Sequence, residues 1–192
     1  MKKRNYNLMV ICLVMVGVTI FSLAVFAGDK ESGYLEIPKL DTLPTIDGVL
    51  SEGEWENTVS DVVKDENRTE TSGKFWLGWT EDYIACAVKI NDSTLFGSKT
   101  EVGEYIWEDD DVEIFIDLKN SDDKTRNNYT FQLLYSPAGG YLTTTANAGQ
   151  VDISHLDANI EHAINVKGTL NDDGYNDYGW VLELLIPYTG LK

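Results

Sequence analysis

Apolar residues recur at every second position through most of this chain, and helical spacing is almost absent. From Asp111 the alternation sets Val112, Ile114, Ile116 and Leu118 on one face of a strand and Glu113, Phe115 and Asp117 on the other, as a sheet covering a core on one side requires. Further strands are predicted at Phe75–Trp79 and Tyr83–Ile90, with Thr80-Glu81-Asp82 as the hairpin loop between them. Others follow at Tyr129–Tyr135, at Tyr141–Thr145 after the Gly139-Gly140 turn, at Ile160–Leu170 and at Trp180–Ile186. Tyr34–Leu40 alternates weakly ahead of a turn at Asp47-Gly48, and Ser51-Glu52-Gly53-Glu54 has the capping-box spacing that predicts a short helix carrying Trp55. Strands of this length, separated by turns, define an all-β chain folded as an antiparallel two-sheet β-sandwich.

Residues 1–27 break the pattern. They open on Lys2, Lys3 and Arg4, run through an apolar block from Leu8 to Phe26 interrupted only by Gly17, Thr19 and Ser22, and close on Val25-Phe26-Ala27, the organisation of a secretory signal peptide. The block is also long enough to cross a bilayer uncut, so anchorage by residues 8–27 at the outer face of the membrane is the alternative to a secreted protein. Either way the positive flank stays inside and everything after Gly28 is exported. Residues 28–43 then read as a polar lead-in and first strand, and residues 44–192 as one sandwich domain of a size that supports a full core.

The chain carries a net charge of −17, and the first 27 residues hold three basic and no acidic side chains, which leaves 12 basic against 32 acidic residues, or −20, for the remainder. Such a surface argues against nucleic acid as a partner and suits neutral or cationic ligands or divalent cations. Cys12 lies in the signal and Cys86 in the apolar run Tyr83–Val88, so no internal disulfide is expected and Cys86 reads as a buried core thiol.

Candidate chemistry concentrates in Ile106–Leu118, where Trp107 stands beside Glu108, Asp109, Asp110 and Asp111 and the strand bearing Glu113 begins. An aromatic plate stacks on the apolar C–H face of a pyranose while carboxylates and amides accept its hydroxyl protons, so this pairing suits a sugar. The other reading has Trp107 plugging a sandwich edge and the carboxylates solvated. Trp76 lies one residue off the Phe75, Leu77, Trp79 face and is a second candidate platform, whereas Trp79 and Trp55 read as core. Asp109, Asp110 and Asp111 are hard oxygen donors of the kind calcium prefers, without the spacing of a calcium loop. His155 and His162 fall in a polar segment and read as surface histidines. Acidic pairs are abundant, but there is no Ser/His/Asp or metal-hydrolase motif and no hydrolase-sized cleft is predicted, so the chain is not expected to be an enzyme.

Pro44-Thr45-Ile46-Asp47-Gly48, Glu54-Trp55, Leu77-Gly78-Trp79-Thr80-Glu81-Asp82-Tyr83-Ile84, Asn91-Asp92 and the run from Trp107 to Asp117 together resemble the family-9 carbohydrate-binding modules of the kind attached to xylanases, from about Pro44 to the C-terminus. The resemblance implies a jelly-roll-like sandwich that binds sugars or polysaccharide such as xylan or cellulose without catalysis, for an attached or partner glycoside hydrolase. It implies that Trp107 forms one wall of an aromatic clamp, that Glu113 hydrogen-bonds sugar hydroxyls, and that Asp92 lies near the site. Gln132 stands on the following strand where an arginine is found in the family, bringing donors and acceptors without charge. Calcium that pins loops is also implied. After a motif like Glu183–Pro187 the family continues into strands carrying a second stacking tryptophan. Here no tryptophan follows Trp180, so the expectation is a fragment or a sandwich without its last strands. Two other readings accompany this one: a secreted adhesion or scaffold sandwich without sugar binding, and a haem-binding relative. Haem iron needs axial Met, His or Lys ligands, and Met1, Met9 and Met15 all lie in the signal, which excludes methionine ligation in the mature chain.

Overall fold

A computed structural model describes residues 9–15, 36–65, 68–118, 127–147, 150–152, 159–172 and 177–191. Among these residues ten strands form in chain order: β1 (Met9–Met15), β2 (Val59–Asp65), β3 (Arg68–Trp79), β4 (Tyr83–Asn91), β5 (Asp111–Asp117), β6 (Thr130–Tyr135), β7 (Tyr141–Asn147), β8 (Gln150–Asp152), β9 (Glu161–Lys167) and β10 (Gly179–Pro187). They make two five-stranded sheets, one ordered β1-β5-β6-β7-β8 and the other β2-β3-β4-β10-β9, with every strand pairing antiparallel. The first is called the site sheet below and the second the back sheet. The chain is therefore the all-β, two-sheet antiparallel sandwich expected from its alternation.

Register follows hydrophobicity. Val112, Ile114 and Ile116 of β5 face Tyr135, Leu133 and Phe131 of β6 as direct partners, and all six turn inward. Phe75, Leu77, Ile84, Cys86, Val88, Leu182, Leu184 and Ile186 of the back sheet meet them to form the main core. A one-residue slip in β5 would exchange this inward set for Asp111, Glu113 and Asp117, so burial fixes the pairing. Cys86 is buried and unoxidised, as expected.

A second cluster lies on the outer face of the back sheet. Ala85 and Ala87 of β4 are small, and Leu40, Trp55 and Leu185 pack over them. The segment before β2 thus lies across the sheet without pairing along it. Tyr34–Leu40, expected as a strand, contributes only a parallel bridge from Lys39 to Trp79 within its described part. Only the glutamate half of the capping box at Ser51 forms, with Ser51 N–H donating to Glu54 Oε2 at 3.4 Å while Glu54 N–H donates to the Ser51 backbone carbonyl at 3.3 Å, and it closes turns over residues 52–57 and no helix. Gly53 in the left-handed region (φ +84°) ends any helical continuation there.

Glu183 anchors this covering segment and was not singled out from sequence. It is fully buried in the middle of β10, where Asp47 N–H (3.1 Å) and Gly48 N–H (2.7 Å) donate to Oε2 and the Trp55 indole N–H donates to Oε1 (3.1 Å). Gly48 has φ +82°, and an added Cβ would sit 3.0 Å from Asn165 Cβ, so the turn that aims both amides at Glu183 needs glycine. Burial raises the Glu183 carboxyl above its ordinary range, and the three donors oppose that shift.

Candidate functional site

The outer face of the site sheet carries the polar groups that the alternation of β5 turned away from the core. Glu113 pairs across to Leu134, Phe115 to Gln132, and Gln132 to Thr144 on β7. Their side chains connect along the face: Gln132 Nε2 donates to Glu113 Oε2 at 2.8 Å, and Thr144 Oγ1 donates to Gln132 Oε1 at 3.5 Å. Glu113 is only 3% exposed, so this carboxylate is outward from the core yet shielded, which strengthens its hydrogen bonds relative to a solvated one.

Beside this row the chain makes a single 3-10 turn, Ile106–Glu108. Ile106 is fully buried against Leu134 and Leu142, the outward residues of β6 and β7, and so fastens the turn onto the face. Trp107, next in the chain, is 50% exposed, and Tyr105 is 62% exposed. Their rings lie 4.9 Å apart at 32°, a tilted aromatic pair whose members support each other rather than the core. An exposed platform thus stands next to a shielded donor and acceptor row.

The acidic run after Trp107 has another job. Asp109 accepts from Ser98 N–H (2.8 Å), Lys99 N–H (2.7 Å), Ser98 Oγ (2.9 Å) and Ser136 Oγ (2.7 Å), and Asp110 accepts from Phe96 N–H (2.7 Å). Both carboxylates are buried and tie the loop before the platform to the β6–β7 turn. Lys99 Nζ meets Glu108 at 2.6 Å on the same loop. The solvated reading of Asp109 and Asp110 does not describe this arrangement, because both carboxylates are buried and backbone amides donate to the Oδ2 of each. Among the described residues, no group of three or more His, Cys, Asp or Glu is arranged to hold a metal ion.

Asp111 differs from its neighbours. It is 2% exposed, and its Oδ2 has no hydrogen-bond partner among the described residues. Burial first, then the charges of Glu113, Asp110 and Asp109, push its carboxyl up to about 9, so it is held as the neutral acid at neutral pH.

The remaining sequence candidates lie apart. Asp92 closes β4 on the back sheet, where it accepts from Thr94 N–H (2.9 Å) and Thr71 Oγ1 (3.4 Å), and burial raises its carboxyl. Trp76 faces the outside of the back sheet, paired with Ala87, with Lys74 Nζ 4.7 Å from its ring centre. It lines a shallow groove with Leu50, Ser51, Gly53, Trp55 and Glu56. The structure joins Glu113 to Gln132 by a hydrogen bond, fastens the turn that carries Trp107 to the same sheet face through Ile106, and puts Trp76 on the opposite side of the sandwich. Trp55 is buried as expected, while Trp79 is only half-buried, its indole N–H donating to Ile37 O at 3.0 Å. His155 lies outside the described residues. His162 is not a surface histidine: it is half-buried on β9, with its ring 5.3 Å from Tyr135 and 4.9 Å from Tyr141.

The two antiparallel sheets place the chain in the class of β-sandwich domains. The chain is a member of the carbohydrate family 9 binding domain-like family, whose model matches residues 46–191. Among solved structures it is similar to a family 9 carbohydrate-binding module from Caldicellulosiruptor kristjanssonii. In that module's complex with cellotriose the identity is 20%, with 79% of this chain and 65% of the other covered at a TM-score of 0.52. In the complex with glucose the values are 20%, 79%, 68% and 0.53. A protein described as carbohydrate-binding from Bacteroides uniformis is 12% identical over 81% of this chain and 75% of its own, with a TM-score of 0.51. The chain thus spans just under two thirds of the cellotriose-bound module's length. No curated protein matches it.

Proposed function

We propose that this chain is a non-catalytic carbohydrate-binding module whose ligand lies on the outer face of the site sheet. The observation that carries this is the half-exposed Trp107, stacked with Tyr105, beside the Glu113–Gln132–Thr144 row. A pyranose resting on Trp107 would turn its hydroxyls to Gln132, the partly exposed member of the row, whose amide the buried Glu113 and Thr144 hold in place. Family membership and the sugar-bound neighbours support the same ligand class. The role that follows is to hold an attached or partner glycoside hydrolase against polysaccharide outside the cell, after export directed by residues 1–27.

Native gels cast with soluble β-glucan or xylan test the proposal. The wild-type chain should be retarded relative to a polysaccharide-free gel, and Trp107→Ala should migrate as if no polysaccharide were present. Equal mobility of the wild type in every gel would favour the adhesion or scaffold reading.

A further inference from the structure

The segment that covers the outer face of the back sheet leaves part of that face open. Leu40 and Trp55 pack over Ala85 and Ala87, and Trp76 is partly buried beside them. Past Trp76 the register of β3 with β4 sets outward residues in rows, Trp76 opposite Ala87, Lys74 opposite Lys89 and Ser72 opposite Asn91. Outward neighbours on one strand lie about 6.6 Å apart, so the rows from Trp76 to Ser72 span about 13 Å. Lys89 and Asn91 are exposed, and Ser72, Lys74 and Trp76 are partly exposed. Trp76 also lines the shallow groove with Leu50, Ser51 and Glu56.

The middle row is the anomaly. Acidic side chains outnumber basic ones 32 to 15 in the chain, yet here two lysines stand directly opposite each other. Side chains so placed have Cβ atoms about 4.5–5.5 Å apart, and like charges at that separation destabilise a sheet. Among the described residues, ion pairs join Lys39 to Glu81 and Lys99 to Glu108, and no carboxylate meets Lys74 or Lys89. Lys74 has an aromatic partner instead, its Nζ lying 4.7 Å from the centre of the Trp76 ring. That contact holds the ammonium beside the groove but supplies no counter-charge. A bound anion would relieve the repulsion.

We propose that this open half of the back sheet is a second binding site, separate from the Trp107 face, and that its ligand is a hexuronate unit of an acidic oligosaccharide. The carboxylate lies between the Lys74 and Lys89 ammonium groups as a charge-assisted acceptor. The apolar C–H face of the sugar ring meets the groove at Trp76 and Leu50. Ser51 and Glu56 in the groove, and Ser72 and Asn91, which are joined by a 3.2 Å hydrogen bond, are the hydroxyl partners. Glu183, also on this face, is buried and already accepts from three donors, so it does not oppose the anion from the surface. A neutral sugar would leave the lysine repulsion in place. An acidic peptide would match the charge but lacks the rigid C–H face that fits an aromatic wall. The site stands whether or not the Trp107 face binds sugar.

Calorimetric titration of the full chain with trigalacturonate, its methyl ester, triglutamate and cellotriose tests the proposal. Trigalacturonate should bind, and its uncharged methyl ester should bind at least about ten-fold more weakly through loss of the charge-assisted contacts. A double variant, Lys74→Gln with Lys89→Gln, should weaken trigalacturonate binding at least about ten-fold while cellotriose affinity stays within about two-fold, so the two sites are read separately. Without ligand, Lys89→Gln should have a urea midpoint no lower than the wild type, because it removes a repulsion and no partner. A lower midpoint would show that the folded chain itself compensates Lys89, and would overturn the premise. No heat with trigalacturonate, equal affinity for its methyl ester, or unchanged affinity in the double lysine variant overturns the site. Triglutamate binding as tightly as trigalacturonate overturns the choice of a sugar as occupant.

Discussion

Trp107 and Glu113 are separated by five residues in the chain, and the 3-10 turn that carries Trp107, fastened by Ile106, precedes a strand whose odd-numbered positions turn outward. The outward position of Glu113 was legible in the sequence, since alternation alone assigns it to that face. Its shielding was not legible, because it depends on which side chains lie across β6 and β7. Two predictions belong here. Trp107→Ala should weaken sugar binding at least ten-fold with little change in urea stability, since the ring contacts the surface and not the core. Glu113→Gln should weaken binding by about 1–3 kcal/mol through loss of the charged acceptor that holds the Gln132 amide. It should also alter stability by about 1 kcal/mol, more than an exposed acid would, because Glu113 is buried and bonded to Gln132. Affinity and urea melts on the same preparations check both. The acidic run was misread at this scale because nothing in Glu-Asp-Asp-Asp shows that the amides of Phe96, Ser98 and Lys99 point at it.

Among the elements, strands with clean alternation were found within a residue or two, as β4, β5, β6 and β10 show. β2 was missed, since Val-Ser-Asp-Val-Val-Lys-Asp mixes charge with apolar residues in the manner of an edge strand. The first segment was over-read as a strand because its apolar residues serve a different purpose: Leu40 and Trp55 cover the Ala85–Ala87 trough. A lone glutamate inside the apolar run of β10 was the available signal for the anchor beneath that cover. Glu183→Ala would strand the Trp55 indole N–H and two backbone amides. The expected cost is about 2–4 kcal/mol by urea unfolding, more than one ordinary hydrogen bond. Loss of Trp55 fluorescence burial should accompany it. A loss under about 0.5 kcal/mol would show that residues 46–55 are not held through this carboxylate.

For the whole molecule, Asp111 sets a pH dependence whose sign runs against the usual acid denaturation. Its carboxyl rises from an ordinary 3.8 to about 9 on folding, so between those values the folded chain holds a proton that the unfolded chain has released. Its contribution is fully present below about 4, declines as pH rises, and is lost above about 9. Asp92 and Glu183 are shifted in the same direction by burial. Wild-type stability should therefore fall between pH 6 and pH 9, and Asp111→Asn, which fixes the neutral form, should flatten part of that decline. Equal slopes in urea titrations across this range would place Asp111 in contact with solvent.

Calorimetric titration of the full chain with cellotriose and with glucose addresses sugar binding through the outer face of the site sheet most directly. One stacked ring and a few hydroxyl contacts correspond to a dissociation constant on the order of micromolar to millimolar. The heat should be lost in Trp107→Ala and retained in Trp76→Ala, whose ring lies on the opposite face of the sandwich. No heat with either sugar, or heat abolished by Trp76→Ala and unchanged by Trp107→Ala, would contradict the assignment.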